Sequence, residues 1–248
     1  VRTRRSPMSG KARVTYWAGR GRCEPLRMIL AAGGVLMEHN VLTAVDGAQA
    51  LRELRASGKL AYDQVPLVEI DGLNLVQGTP TAQYIAQRCD LWPSTPEAQY
   101  RAGAVFAAAQ DARAPLVSFP FHGDLGRLQA ELSSPRGLWG RYAVKWEAML
   151  AEQKFLAGDA PSLADVAVYE VLDFAHAACA ASGSAAKRRA AGTKLKMRIA
   201  GKKQKVKESG SDDFSQIYEE EMHEMQALDA AQSESENPFR GKSLPCHS

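Results

Sequence analysis

The chain has few cysteines, and none of them are paired by spacing. Its 248 residues contain four, Cys23, Cys89, Cys179 and Cys246, with no CxxC among them. This distribution argues against a disulfide framework, a redox dithiol and a zinc site built from cysteine pairs. We therefore expect a protein of a reducing compartment, located in the cytoplasm.

Long hydrophobic runs are also missing. No stretch approaches the ~20 apolar residues that a membrane helix requires. The basic start VRTRRSPMSGKAR lacks the apolar centre of a signal peptide. We expect no membrane partner, and we expect translation to begin at Met8, which would place residues 1–7 upstream of the protein.

Each of two neighbouring C-terminal segments lacks charge of one sign. Residues 187–207 contain ten Lys or Arg and no Asp or Glu, whereas residues 208–236 contain ten Asp or Glu and no Lys or Arg. Large apolar residues are scarce here, so we predict a disordered tail over 181–248. The basic block resembles a nuclear-localisation or polyanion-binding tract; a solvated tail and an error in the gene model are the alternatives. We do not expect nucleic-acid binding.

Over the whole chain the composition is that of a globular protein, with 45% hydrophobic residues. After an N-terminal extension, 1–11, residues 12–92 predict strands and helices in the order β-α-β-α-β-β-α. The last two strands, LVEI and LNLV, flank Asp71-Gly72, a strong hairpin signal. This order is typical of a thioredoxin-like α/β domain, in which Pro66 would follow a cis peptide bond. The other predicted elements are strands at Val14–Trp17 and His39–Leu42 and helices at Pro25–Ala32, Ala48–Arg55 and Thr79–Arg88.

Residues 93–180 predict a second, all-α domain, which we expect to be incomplete. Helices are predicted from Gln99 to about Pro115 and from Leu138 to Glu152. Ser162 and Asp165 have the spacing of a capping box at the start of a third helix. We expect that helix to turn four side chains inward: Val166, Tyr169, Leu172 and Phe174.

Several motifs of residues 12–175 together resemble the soluble glutathione S-transferases of the tyrosine type, which includes the alpha, mu, pi and sigma classes. They are Tyr16 at a strand end, GRGRCEPLR, QVPLVEIDG, LVQ and SLAD. The resemblance implies glutathione as co-substrate, an apolar electrophile as second substrate, and a homodimer. It implies catalytic roles for Tyr16 and Arg22. The implied glutathione-binding residues are Trp17, Arg55, Gln64, Val65, Pro66, Gln77, Gly78, Thr79 and Asp111.

Thiol chemistry explains why a phenol at this position matters. A free thiol has a pKa of about 8.5, so only a small fraction is thiolate at neutral pH. A hydroxyl donor with a nearby cation can stabilise the anion selectively. In the family the tyrosine hydroxyl donates to the glutathione sulfur, and Tyr16 occupies that position. The expected reaction is therefore conjugation of glutathione to an electrophilic carbon.

Three features depart from the family pattern. Gly78 stands where the family has Ser or Thr, a loss of about 1 kcal/mol of binding unless Thr79 replaces the hydroxyl. Cys23 lies three residues beyond the position that a cysteine nucleophile takes in some relatives, so we expect it to be a bystander. The third departure is that the terminal helices, which wall the electrophile site in the family, are not recognisable in this sequence.

The alternative functions are a non-catalytic glutathione-binding or crystallin-like protein, and a sigma-type prostaglandin isomerase.

Overall fold

A computed structural model describes residues 11–180 of the 248-residue chain. The predicted disordered tail, 181–248, and all but the last residue of the predicted extension, 1–11, lie outside the described residues. The described part contains an α/β domain followed by a helical domain, which confirms the predicted fold class.

The first domain follows the predicted element order, with boundaries shifted by one or two residues at several ends. Its α1 has Pro25 in the first turn and ends at Ala32, with Gly33 as the C-cap. The Val65–Pro66 peptide bond is cis, as predicted. The elements are β1 Ala12–Trp17, α1 Glu24–Ala32, β2 Met37–Leu42, α2 Gly47–Ala56, β3 Leu67–Ile70, β4 Leu73–Val76 and α3 Gly78–Arg88.

The four strands form one mixed sheet in the order β2-β1-β3-β4. β1 runs parallel to β2 and antiparallel to β3, and β3 pairs with β4 through the predicted hairpin. The hairpin turn uses positive φ at Asp71 (52°) and Gly72 (76°), which explains the Asp-Gly signal. Apolar side chains of α1 and α3 such as Ile29 and Ile85 are fully buried in the core with Val14 and Val68 of the sheet.

The second domain contains one helix more than predicted and one much longer helix. Its elements are α4 Pro96–His122, α5 Leu125–Ser133, a π-helical segment Leu138–Ala143, α6 Val144–Glu152 and α7 Leu163–Ala180. The predicted helix Leu138–Glu152 is therefore π-helical over its first six residues. Residues 11–180 contain no helix of the length and apolarity needed to span a membrane.

The prediction that the first of these helices ends near Pro115 is wrong. α4 contains both Pro115 and Pro120 and continues to His122. The two prolines remove backbone donors, but the buried stripe on this helix continues past the first of them to Leu116. Tertiary burial therefore outweighs the local cost of the ring. The stripe comprises Ala102, Val105, Phe106, Ala109, Ala112 and Leu116.

The capping box at the start of α7 is confirmed. The Asp165 carboxylate accepts from the Ser162 backbone N–H at 2.9 Å, and the Ser162 hydroxyl accepts from the N–H of Ala164 at 3.3 Å. The predicted inward face is only partly right, because Leu172 is buried whereas Val166, Tyr169 and Phe174 are half-buried. The fully buried face is shifted along the helix to Leu163, Ala164, Ala167, Val168, Val171, Leu172 and Ala175.

Candidate functional site

Tyr16 lies at the end of β1 with its phenol against the loop that leads into α1. The half-buried side chain places Oη 2.9 Å from the backbone nitrogen of Arg22, which donates to it. A tyrosine hydroxyl has one proton and two lone pairs. With the loop N–H bonded to a lone pair, the phenol keeps its proton for a second partner, and the same N–H stabilises negative charge on the oxygen.

Gly21 is what allows the loop to approach the phenol so closely. A Cβ at this position would lie 2.5 Å from Oη and 2.7 Å from Cε1 of Tyr16, and φ of Gly21 is +36°. Any larger residue would both strain the backbone and displace the ring. Gly21 of GRGRCEPLR therefore leaves room for the Tyr16 ring.

Arg22 contacts the phenol through its backbone. Its side chain is exposed in the structure, and the bond to Oη comes from its main-chain N–H. The role in catalysis predicted for the Arg22 side chain thus stays a prediction. The backbone contact is an additional role that the residue type alone did not indicate.

Three of the predicted site residues lie in a row at one edge of the sheet. The last paired residues on the three strands are Thr15, Leu67 and Val76, which are in register with one another. One residue further along each strand, at the same edge, lie Tyr16, Pro66 and Gln77. A thiol-containing peptide lying along this edge would meet the phenol, the backbone of Val65 and the start of α3 together.

The edge ends at the N-terminus of α3. Gln77 precedes the helix with φ of +68°, and its carbonyl accepts from Thr81 N–H. Gly78 and Thr79 occupy the first turn, where backbone N–H groups of a helix lack intrahelical acceptors. Such donors favour a carboxylate.

Arg55 reaches the segment that leads to the cis bond. Its Nε donates to the Asp63 carbonyl at 2.9 Å, and Asp63 itself has φ of +55°. Gln64 follows directly and is exposed, so its amide faces solvent beside the row. In this arrangement Arg55 stabilises the loop before Gln64, and binding of a carboxylate by its exposed guanidinium stays a prediction.

The remaining predicted residues lie at the margins. The Trp17 ring is 36% exposed and contacts Gly47, where an added Cβ would lie 2.6 Å from Cζ3. Asp111 is exposed on α4. Its predicted contact with glutathione of a second subunit stays a prediction.

Cys23 is unsuited to act as a nucleophile. The side chain is fully buried at the start of α1, and burial raises the pKa of its thiol to about 12, despite the opposing charge of Arg27. The thiol is therefore protonated at neutral pH. This agrees with its expected role as a bystander.

Sequence reasoning missed a group of charged residues beneath the loop. Arg113 of α4 is buried and donates through Nε and Nη2 to the two carboxylate oxygens of Glu170 on α7, at 3.0 and 2.8 Å. Its Nη2 also donates to the Gly21 carbonyl at 2.9 Å. Arg20 pairs with Asp173 of α7. The available signal was a glutamate within the apolar run VAVYEVL.

Burial and neighbouring charges shift the pKa values of Glu170 and Arg20. Burial raises the pKa of the Glu170 carboxyl above its ordinary value, and the Arg113 guanidinium opposes that rise. Burial opposes the charge of Arg20, but the bond to Asp173 and nearby carboxylates outweigh it and raise the pKa of Arg20. Both arginines lie over the Phe174 ring, at 5.1 Å for Arg20 and 5.8 Å for Arg113.

The fold defines a two-domain protein in which a thioredoxin-like domain without a dithiol is joined to a helical domain. Residues 12–87 match the family model for the glutathione S-transferase N-terminal domain, and residues 120–196 match the model for the C-terminal domain. Rat glutathione S-transferase alpha-5 and mouse glutathione S-transferase A3 are each 34% identical over 168 residues, which is 66% of this chain and 74% of each relative. The chain belongs to the glutathione S-transferase family, and its co-substrate is glutathione.

Solved structures agree in fold. Monomeric Na-GST-3, a glutathione S-transferase from the hookworm Necator americanus, superposes with a TM-score of 0.61 at 19% identity, covering 81% of this chain and 93% of that one. The glutathione S-transferase from Ascaris lumbricoides gives 0.59 at 21% identity, covering 80% and 92%.

Proposed function

We propose that Tyr16 activates glutathione as a thiolate and that the chain adds this sulfur to an electrophilic carbon of an apolar compound. The observation that supports this most is the bond from Arg22 N–H to Tyr16 Oη, at 2.9 Å. Because this bond uses a lone pair of the phenol oxygen, the phenol O–H can donate a hydrogen bond to the glutathione sulfur beside the row. The glutathione thiol gives its proton to solvent, and the Tyr16 hydroxyl donates to the resulting thiolate. The thiolate then forms a bond to carbon, and the leaving group of the electrophile departs with the electron pair of the bond that breaks.

The two substrates divide between the domains in this proposal. Glutathione lies along the row formed by Tyr16, Pro66 and Gln77, with its carboxylates near Arg55 and the first turn of α3. The electrophile approaches from the helical domain. Holding both in contact supplies much of the rate, because it replaces a bimolecular encounter with a reaction inside one complex. We further propose that the protein acts as a cytoplasmic homodimer.

Replacing the phenol hydroxyl tests the role of Tyr16. A hydrogen bond to an anion contributes about 2 kcal/mol, so Tyr16→Phe is expected to lower kcat/KM with glutathione and an aryl halide about thirtyfold. The matched control is Tyr84→Phe, because the Tyr84 hydroxyl bonds Asp71 at the hairpin, away from the row. It should retain wild-type activity.

Two results would contradict the proposal. A Tyr16→Phe variant as active as wild type would remove Tyr16 from the mechanism. Wild-type protein that binds immobilised glutathione but conjugates no electrophile would favour the non-catalytic alternative instead.

A further inference from the structure

One peptide group connects the helical domain to the Tyr16 phenol. The carbonyl oxygen of Gly21 accepts from Arg113 Nη2 at 2.9 Å, and the N–H on the other side of the same peptide bond, that of Arg22, donates to Tyr16 Oη at 2.9 Å. The oxygen and hydrogen of a trans peptide point in opposite directions. A cation bonded to the oxygen therefore draws electrons from the N–H and makes it a stronger donor.

Arg113 is held in place for this contact. It is 2% exposed, and its Nε and Nη2 both donate to the carboxylate of Glu170, which is fully buried. An arginine fork bonded at two points has little freedom to turn away from a third acceptor. In these surroundings the charge is weakly screened.

Other charged groups lie near this pair on α1, on α7 and in the loop before α1. Glu170 interacts electrostatically with Glu24 of α1 and with Arg20 of the loop, and the Cys23 thiol interacts with Arg113. Arg20 is bonded to Asp173, and Arg27 donates to the Gly19 carbonyl at 2.9 Å. The contact that reaches the Gly21 carbonyl is the one from Arg113 Nη2.

We infer that Arg113 is a positioning residue of the glutathione site, which fixes and polarises the Gly21–Arg22 peptide that donates to Tyr16. This inference rests on the proposed role of Tyr16. The bonds of Arg113 run to the Glu170 carboxylate and to the Gly21 carbonyl. Arg113 acts through one peptide group, so its effect on catalysis requires the Tyr16 hydroxyl.

The test compares variants that keep the buried charge balanced. Arg113→Met combined with Glu170→Gln removes the cation without leaving a buried carboxylate unpaired, which alone would threaten folding. Arg113→Lys keeps the cation and loses the fork. The control is Arg127→Met combined with Glu131→Gln, a pair bonded at 2.8 Å on the exposed side of α5.

The first measurement uses protein without glutathione. Exchange of the Arg22 amide hydrogen, followed by NMR, reports the bond to Tyr16 directly. The exchange of this amide should be faster than in wild type in Arg113→Met/Glu170→Gln and in Tyr16→Phe. It should be unchanged in the α5 control. Unchanged Arg22 exchange in a folded Arg113→Met/Glu170→Gln protein would overturn the inference, whatever the role of Tyr16.

The second measurement is the pH titration of the bound glutathione thiol by its ultraviolet absorbance. We expect Arg113→Met/Glu170→Gln to lower the thiolate fraction at neutral pH about three- to tenfold, with the KM for glutathione nearly constant. Arg113→Lys should lie between it and wild type. If the double variant does not fold, both measurements are made on Arg113→Lys instead. Arg22 amide exchange and a thiolate fraction equal to those of wild type in that variant would then overturn the inference.

A double-mutant cycle separates this role from general support of the fold. In a Tyr16→Phe background, Arg113→Met/Glu170→Gln should leave the thiolate fraction unchanged, since the group through which it acts is gone. An equal loss in both backgrounds would overturn the inference. If Tyr16→Phe itself leaves thiolate formation intact, the proposed function fails and the claim about thiolate activation fails with it, while Arg22 exchange still reports whether Arg113 holds the peptide.

Discussion

Gly21→Ala gives a sharp test of the geometry at the phenol. The added Cβ would begin 2.5 Å from Tyr16 Oη, whereas ordinary contact begins near 3.4 Å, so the hydroxyl must retreat by about 0.9 Å. A movement of that size away from the loop stretches the 2.9 Å bond from Arg22 N–H to about 3.8 Å, beyond hydrogen-bonding distance.

The expected loss of activity follows from that displacement. Losing a hydrogen bond that supports an anion costs about 2 kcal/mol, or about thirtyfold in rate. Misplacement of a reacting group by about 1 Å can cost about a hundredfold. We therefore expect kcat/KM with glutathione and an aryl halide to fall about thirty- to a hundredfold.

Backbone strain must be separated from the displacement of the ring. Gly21 has φ of +36°, and alanine in the left-handed region costs about 1–2 kcal/mol. The matched control is Gly34→Ala, with φ of +69° and no atom within 4 Å of the added Cβ. Both variants should lose similar stability in urea unfolding, but only Gly21→Ala should lose activity. If Gly21→Ala keeps kcat/KM within threefold of wild type, the loop does not position the phenol as described.

The further predictions concern two buried acidic groups. Since burial raises the Cys23 thiol pKa from 9.0 to about 12, the unfolded chain ionises first, so stability should fall as pH rises above about 9, and less steeply in Cys23→Ala. Urea unfolding at several pH values measures this, and alkylation of Cys23 in the native protein at pH 8 would contradict the burial. Asp165→Ala should cost about 2–5 kcal/mol in urea unfolding, because the buried N–H groups of Leu156 and Ser162, which donate at 3.0 and 2.9 Å, lose their acceptor. A loss under 1 kcal/mol would show that water replaces the carboxylate.

Local signals predicted the first domain well. The hairpin bounds at Leu67–Ile70 and Leu73–Val76 were correct because Asp71-Gly72 supplies the positive φ values that a tight turn needs. The end of α1 followed from Gly33 and Gly34. In each case a few adjacent residues determine the backbone, so their pattern is visible in the sequence.

The helical domain was less predictable, because tertiary contacts override local preference there. The sequence predicts a helix end near Pro115, yet α4 continues through it. α5 was missed although Asp124 caps it by accepting from Arg127 N–H at 2.9 Å. The capping box at Ser162 was predicted, since both of its partners lie within four residues.

The candidate site likewise has one part that the sequence predicts and one part that it does not. The register of the strands brings Tyr16, Pro66 and Gln77 together as the family resemblance implies. The pairing of Arg113 with Glu170 spans 57 residues, and no local pattern indicates which buried charges will meet. The orientation of the Gly21–Arg22 peptide likewise depends on that distant side chain.

The loop before α1 is bonded to three different helices. Substitutions in the helical domain can therefore affect the loop of the first domain. Arg27 of α1 bonds the Gly19 carbonyl, Arg113 of α4 bonds the Gly21 carbonyl, and Asp173 of α7 bonds Arg20. A chimera that kept the first domain and exchanged the helices would lose two of these three contacts. In any such exchange, Arg113 of α4 and Asp173 of α7 therefore have to be kept together with the loop that they support.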